Sequence, residues 1–351
     1  MSGAPEFLGA CPVPKNDVSR ILLAHGGGGK RMQELIDTVF RAAFQNQHLE
    51  SSHDAAVLNG ISGSFAFTTD SYVVHPLFFP GGDIGSLSVY GTVNDLAMAG
   101  AKPMYLSAGF ILEEGFEIEK LKAIVFSMRK AADAAGVYIV TGDTKVVERG
   151  KADGVFINTA GVGQATKGLR VHPTEVRAGD EILLSGDLGR HGIAIMASRE
   201  GLSFKTRIES DLAPLSDLVQ ALIQGGVRLH CLRDLTRGGL ASVLNEIASS
   251  ASCSIRLDEK AIPVLEAVRG ACEILGLDPL YVANEGRFAA FVPAGEGDRA
   301  LAILRAHPLG RDAQKIGRVE EGDPGAVLLK NVLGTTRILD RLSGEQLPRI
   351  C

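Results

Sequence analysis

The longest helical period in this chain runs from Glu117 to Ala135, where apolar residues recur on one face and Gly136 stops the run. A second helix is predicted from Ile84 to Met98, with Asp83 as its N-cap and Gly100 and Pro103 beyond its end. A third follows the glycines at 26–29, from Met32 to about Phe44. Between these lie short apolar runs that read as strands: 21–23, 65–70, 137–140 and 155–162. Near 165–178 the texture turns polar, and a second mixed series begins. It predicts strands at 181–184, 288–292 and 326–329, and helices at 192–199, 214–224, 238–250 and 264–275.

Because strands such as 137–147 and 155–163 are consecutive, the pattern favours an α+β (mixed α/β) fold over a purely doubly wound sheet. The division it predicts is a leader over 1–20, an N-terminal α/β domain over 21–165, a C-terminal α+β domain over 175–334, and a mobile tail over 335–351 that ends in Cys351. A length of 351 residues agrees with two domains.

Composition narrows the field. Charged residues are 22% and hydrophobic ones 45%, as in ordinary globular proteins. A net charge of −5 gives no electrostatic reason to expect nucleic acid. No run of eighteen apolar residues predicts a membrane span, and no basic-then-apolar start predicts a signal peptide. The five cysteines form no CxxC pair, so neither a zinc knuckle nor a disulfide framework is indicated, and a reducing cytoplasm fits best. Cys351 is the last residue, whereas prenylation needs its cysteine four places from the end. A thiol at a chain end has the reach to carry a substrate into a site elsewhere, or it is an accident of where the chain stops.

Four acidic residues sit beside apolar sequence: Asp54 before Ala55-Ala56-Val57, Asp70 at a strand end, Asp95 in Asn94-Asp95, and Asp143 after Thr141-Gly142. Buried carboxylates in company need cations, and Mg2+ is the obvious one, since it takes oxygen ligands and is shared with phosphates. Each of them is individually also a common turn or cap residue. Asp83 is a further metal candidate or simply a helix cap. The glycines 26–29, Gly27 and Gly28 among them, open a helix and suit phosphate, or serve as a hinge. They do not make a Walker A loop, because Ala24 and Arg31 stand where glycine and Ser or Thr are needed.

The segments Phe67-Thr68-Thr69-Asp70-Ser71-Tyr72-Val73, Phe78-Phe79-Pro80-Gly81-Gly82-Asp83-Ile84-Gly85, Asn94-Asp95-Leu96-Ala97 and Val140-Thr141-Gly142-Asp143-Thr144-Lys145-Val146-Val147 carry a resemblance. So do Thr236-Arg237-Gly238-Gly239, Asn284-Glu285-Gly286 and the terminal Pro348-Arg349-Ile350-Cys351. Together they resemble the HypE family of hydrogenase maturation proteins, over about 21–351. The wider superfamily contains aminoimidazole ribonucleotide synthetase, selenophosphate synthetase and thiamine monophosphate kinase.

The resemblance implies an ATP- and Mg2+-dependent carbamoyl dehydratase. Cys351 would receive a carbamoyl group from HypF, and the S-carboxamide would be dehydrated to an S-thiocyanate. The cyano group would pass to the HypC–HypD complex for a [NiFe]-hydrogenase. It also implies a homodimer paired through the N-terminal domain, with ATP bound between the domains. Asp54, Asp70, Asp95, Asp143 and Asp83 become the metal candidates. Gly27, Gly28, Thr69, Asn94 and Arg237 become ATP or phosphate contacts, with Arg237 also suited to the tail carboxylate or to an ordinary surface position. Lys145 would stabilise phosphate charge or orient the carboxamide. Glu285 is the candidate base, and His25 a second base or a phosphate ligand. His53 stands before Asp54 where the superfamily often pairs two acids. Another synthetase of the superfamily, selenophosphate synthetase-like, and a non-catalytic thiol carrier are the competing readings.

Overall fold

The computed structural model describes residues 19–50, 55–56, 58, 63–201 and 207–341. Asp54 and Cys351 lie outside them.

The N-terminal half begins with a short turn. Instead of the expected strand over 21–23, Arg20 makes one isolated bridge to Glu117, and Leu23–Gly26 wind into a 3-10 turn. Ile21 is fully buried and bonded through its backbone to Gly115 and Phe116, so only one residue there has a strand-like partner. The predicted helix to Phe44 is present as α1 (Lys30–Leu35), a π-helical stretch (Ile36–Arg41) and α2 (Ala42–Phe44), with Leu35, Val39, Phe40 and Phe44 buried.

A four-stranded sheet follows. Its β1 (Phe65–Tyr72) leads through a small hairpin, β2 (Phe78–Phe79) and β3 (Gly82–Asp83), into α3 (Ile84–Met98). Then come β4 (Ala101–Glu113), α4 (Ile118–Ala135), β5 (Tyr138–Val147) and β6 (Val155–Ala165). The strand order is β1-β6-β4-β5, with β4 and β5 parallel around α4 and the other neighbours antiparallel. Gly136 ends α4 in the left-handed conformation at φ 66°. β4 carries no apolar signal strong enough to be predicted: Pro103 sits at a bulge, and Gly109 weakens the pattern. Its alternate residues Leu106, Ala108, Phe110 and Leu112 are nonetheless buried beneath the helices.

The C-terminal half is built on a seven-stranded sheet of order β13-β12-β9-β11-β7-β10-β8. In chain order the elements are β7 (Glu181–Leu184), α5 (Arg190–Arg199), α6 (Ser216–Gln224), β8 (Cys231–Asp234), α7 (Gly239–Ala251) and β9 (Ser254–Asp258). They continue with α8 (Glu266–Leu275), β10 (Phe288–Val292), α9 (Gly297–Ala306), β11 (Gln314–Glu320), β12 (Val327–Lys330) and β13 (Thr336–Ile338). The two-residue period of β10 feeds two cores. Ala289 and Phe291 join the cluster with Leu240 and Leu244 of α7, while Phe288, Ala290 and Val292 join the cluster with Leu218 and Leu222 of α6. Ala97 and Met98, from the end of α3, enter the second cluster and tie the halves together.

The stretch expected as the start of a tail is sheet edge instead. β13 pairs with β12, and Leu339 is fully buried. The Leu339 carbonyl accepts from Asn245 Nδ2 at 2.9 Å, and Asp340 O accepts from the Tyr281 hydroxyl at 2.7 Å. These bonds anchor the chain through Asp340. Mixed α/β sheets with helices in both halves are the class expected from the pattern.

Candidate active site

β1 turns Thr68, Asp70 and Tyr72 to its inner face and Phe65, Phe67, Thr69 and Ser71 to the outer one. On the inner face Thr68 Oγ1 donates to Asp95 Oδ2 at 2.7 Å, and the Tyr72 hydroxyl donates to Asp70 Oδ2 at 3.2 Å. Gly91 lies against the Tyr72 ring and hydroxyl, where a Cβ would collide. Burial pushes the Asp95 carboxyl above its usual range, and neighbouring Asp70 adds to the rise despite the Thr68 bond.

The second half brings two more carboxylates to this place. Asp234 ends β8, opposite Phe288 of β10. Burial, then the charge of Asp95, pushes it up to about 7. Glu285 precedes β10 and is only 4% exposed. Among the described residues its buried Oε1 has no hydrogen-bond partner. Burial holds Glu285 well above the usual carboxylate range, reinforced by Asp234, Asp211 and Asp70 and opposed by Arg237. Four acids from two domains therefore share one electrostatic neighbourhood.

The remaining candidates lie elsewhere or are already engaged. Asp83 caps α3, accepting from Gly85 N at 2.7 Å and Ser86 N at 3.0 Å. The twelve residues to Asp95 put it about 18 Å away along the helix, so it is a cap and not part of the acidic cluster. Asp143 and Lys145 form an exposed ion pair of 2.8 Å, with side chains 63% and 65% exposed. The Lys145 bond holds Asp143 below its usual range. Thr69, on the outer face, donates to Thr159 O; its neighbour Thr68 is the threonine that reaches the acids. Asn94 is used up: Nδ2 donates to Ala213 O and Glu285 O, and Oδ1 accepts from Leu215 N. It clasps the domains together and has no amide atom left for phosphate.

His25 is buried, with Nδ1 accepting from Leu22 N at 2.9 Å. Burial, then Arg31, lowers its pKa, so it is neutral and fixed in place. Gly28 takes φ +74°, a left-handed position, just before α1, and Gly27 ends the 3-10 turn. Gly26 packs on Val146 of β5. A cavity of about 260 Å³ lies alongside, lined by Ile36, Phe40, Phe110, Thr141 and Asp143. Arg237 is exposed at the turn into α7.

Among the described residues, no three His, Cys, Asp or Glu side chains converge closely enough to enclose a metal ion. Of the five acids expected as metal ligands, Asp70, Asp83, Asp95 and Asp143 do not come together as one set, and Asp54 lies outside the described residues. Asp70 and Asp95 remain as an adjacent pair, which fits an ion that takes one or two protein carboxylates and completes its shell with phosphate. Asp234 and Thr68 were missed. The signal for Asp234 was present, a carboxylate at a strand end, but β8 is four residues long and contains Arg233.

This architecture matches the AIR synthase related proteins, whose N-terminal domain pattern covers residues 52–165 and C-terminal domain pattern residues 177–330. Carbamoyl dehydratase HypE of Bradyrhizobium diazoefficiens is 55% identical over 330 residues, 94% of this chain and 95% of that one. The crystal structure of hydrogenase maturation protein HypE in complex with ATP aligns with a TM-score of 0.91 at 48% identity, covering 94% of this chain and 99% of that one. A chain of the HypE–HypF complex aligns at 0.77 and 48% identity, covering 88% and 99%. The chain belongs to the HypE family of hydrogenase maturation proteins. Membership favours that reading over a selenophosphate synthetase-like one.

Proposed function

We propose that this chain is an ATP-dependent carbamoyl dehydratase acting on an S-carboxamide carried by its own Cys351. The observation that carries the mechanism is the buried, unpartnered oxygen of Glu285 at a junction crowded with acids. Phosphoryl transfer from ATP to the carboxamide oxygen turns that oxygen into a leaving group. Loss of phosphate and of the two nitrogen protons leaves the S-thiocyanate, with ADP as the other product. Such transfers depend on positioning and charge neutralisation. Asp70 and Asp95 would hold Mg2+, which supplies the neutralising charge on the phosphates. Glu285 takes a proton from the carboxamide nitrogen, and desolvation makes it a stronger base once it is ionised.

Lys145, Asp143 and the glycines at 27–28 belong to the nucleotide end of this reading, beside the cavity under α1 and α2. HypF as carbamoyl donor is supported by the HypE–HypF complex. The HypC–HypD complex as cyanide acceptor rests on family likeness. A homodimer is supported by the outer face of the N-terminal sheet, where Phe65, Phe67, Ile111 and Tyr138 stand exposed. A cytoplasmic setting is supported by the free, buried Cys231, Cys253 and Cys272. Among the described residues no helix is long and apolar enough to cross a membrane.

The test is to mix carbamoylated protein with Mg-ATP and weigh it. Loss of one water with stoichiometric ADP is expected. An unchanged mass, or turnover of a free small substrate by the Cys351→Ala variant, overturns the reading.

A further inference from the structure

Glu285 is held in place by one buried acid from another segment. Asp211 lies in the irregular stretch 207–215 between α5 and α6 and is 4% exposed. Its Oδ1 accepts from His191 N at 3.0 Å, and its Oδ2 accepts from Glu285 N at 3.2 Å and Gly286 N at 2.9 Å. One carboxylate thus gathers three backbone N–H groups, two of them flanking the side chain with the unpartnered oxygen. Among the described residues no Lys, Arg or His forms an ion pair with Asp211 within 4 Å, and the donors named above are all backbone N–H groups. The approach is close enough that a Cβ on Gly286 would collide with Asp211 O.

The stretch holding Asp211 is itself docked on the N-terminal half. Ser210 N donates to Pro80 O at 2.8 Å. Asn94 bonds both Ala213 and Leu215. Ser210 Oγ meets His191 Nδ1 at 2.8 Å and accepts from Leu212 N at 3.1 Å. The backbone of Glu285 is therefore tied, through Asp211, to the same half that carries Asp70 and Asp95. We infer that Asp211 is a positioning residue, which sets Glu285 against the carboxylates of the other domain through the backbone amides of Glu285 and Gly286. The inference rests on the proposed role of Glu285 and names what holds that role in register. A displacement of about an ångström at a reacting group can cost a hundredfold, so a tether of this kind acts on rate and not on nucleotide binding.

Asp211→Asn keeps the shape but offers one acceptor oxygen to N–H groups that now use two. Single-turnover dehydration of carbamoylated full-length protein should slow about tenfold to a hundredfold, with the ATP dissociation constant unchanged within about twofold. In a Glu285→Gln background the same substitution should add no further loss. Additive losses, a rate left intact, or a weakened ATP affinity at unchanged rate overturn the inference. If Asp211→Asn does not fold, Ser210→Ala loosens the same stretch and must show the same non-additivity with Glu285→Gln. Should Glu285→Gln alone leave dehydration intact, the base assignment fails instead, which separates the two ideas.

Discussion

Glu285 and Asp187 are equally buried acids of the C-terminal half, yet they have opposite surroundings. Asp187 bonds Arg287 at 2.6 Å and Arg190 at 2.7 Å. Burial would raise its pKa, but the two guanidiniums outweigh burial and hold it below the usual range. Glu285 is two residues from Arg287 in sequence, yet it faces acids and, among the described residues, keeps one oxygen without a hydrogen-bond partner. Depth in the protein does not separate a charge-paired carboxylate from one surrounded by acids. What separates them is whether the neighbours neutralise the charge. A fold keeps an unneutralised acid only where something else, such as metal-bound phosphate or a substrate proton, completes the set.

The largest test of this contrast swaps the two amides. Glu285→Gln should cut dehydration by about a hundredfold to ten-thousandfold while leaving the melting temperature unchanged or higher. Asp187→Asn should do the reverse. Stranding two guanidiniums costs about 3–5 kcal/mol, visible in denaturant melts, with activity lost only in step with folding. If both variants lose stability alike, the distinction is wrong.

Next in size, Asp95→Asn should weaken Mg-ATP binding in calorimetry and relieve repulsion in the metal-free protein. Tight Mg-ATP binding by that variant would remove Asp95 from the metal pair.

Acid and base then act in opposite directions on the two kinds of carboxylate. The folded pKa of Asp187 is depressed, so its stabilisation is complete above the usual carboxylate range and is lost as pH falls through it. Asp234 is raised from 3.8 to about 7, so the metal-free protein should lose stability as pH rises across that window. Calorimetric melts of wild type and Asp234→Asn across that window, from 3.8 to about 7, should converge at the acidic end and diverge at the basic end. Parallel curves would deny the Asp234 burden.

The smallest effect belongs to the outer face. Lys145→Ala removes an exposed ion pair and should cost less than about 1 kcal/mol. Any larger change in its ATP affinity then reports a contact with nucleotide and not a loss of fold.

Much of this was legible in the sequence, for physical reasons. α3 and α4 announce themselves by cap chemistry and period, through Asp83 and Gly136. Of the motif segments that carry the resemblance, 67–73, 94–97 and 284–286 supply the acids and the clasp at the junction of the domains. β8, β9 and β11 are less visible because their outward positions carry charges such as Arg233, Arg256 and Arg318. Arg256 pairs with Glu320 across β9 and β11 at 2.8 Å, a bond that no local pattern reveals. The motif as a string gives no reason to prefer Thr68 to Thr69. The alternation of a strand puts Thr68, not Thr69, on the side of Asp70. Asn94 looked like a ligand contact, and only tertiary structure shows its amide holding the main chain of 213, 215 and 285. Asp211 had no signature, since its partners lie 20 and more residues away.

The bond from the Tyr281 hydroxyl to Asp340 O ties the end of the described chain to a residue four positions before Glu285 in sequence. Ten residues follow Arg341, enough for at most about 33–36 Å of chain. On the proposed reading, a thiocarboxamide on Cys351 would meet the junction as a tethered reactant, at an effective concentration set by the length of the intervening chain and the span it must cover. Dilution would not slow such a reaction, and a free carboxamide would compete only at comparable concentrations. Lengthening the leash would lower that concentration gradually, whereas cutting it below the span would abolish the encounter.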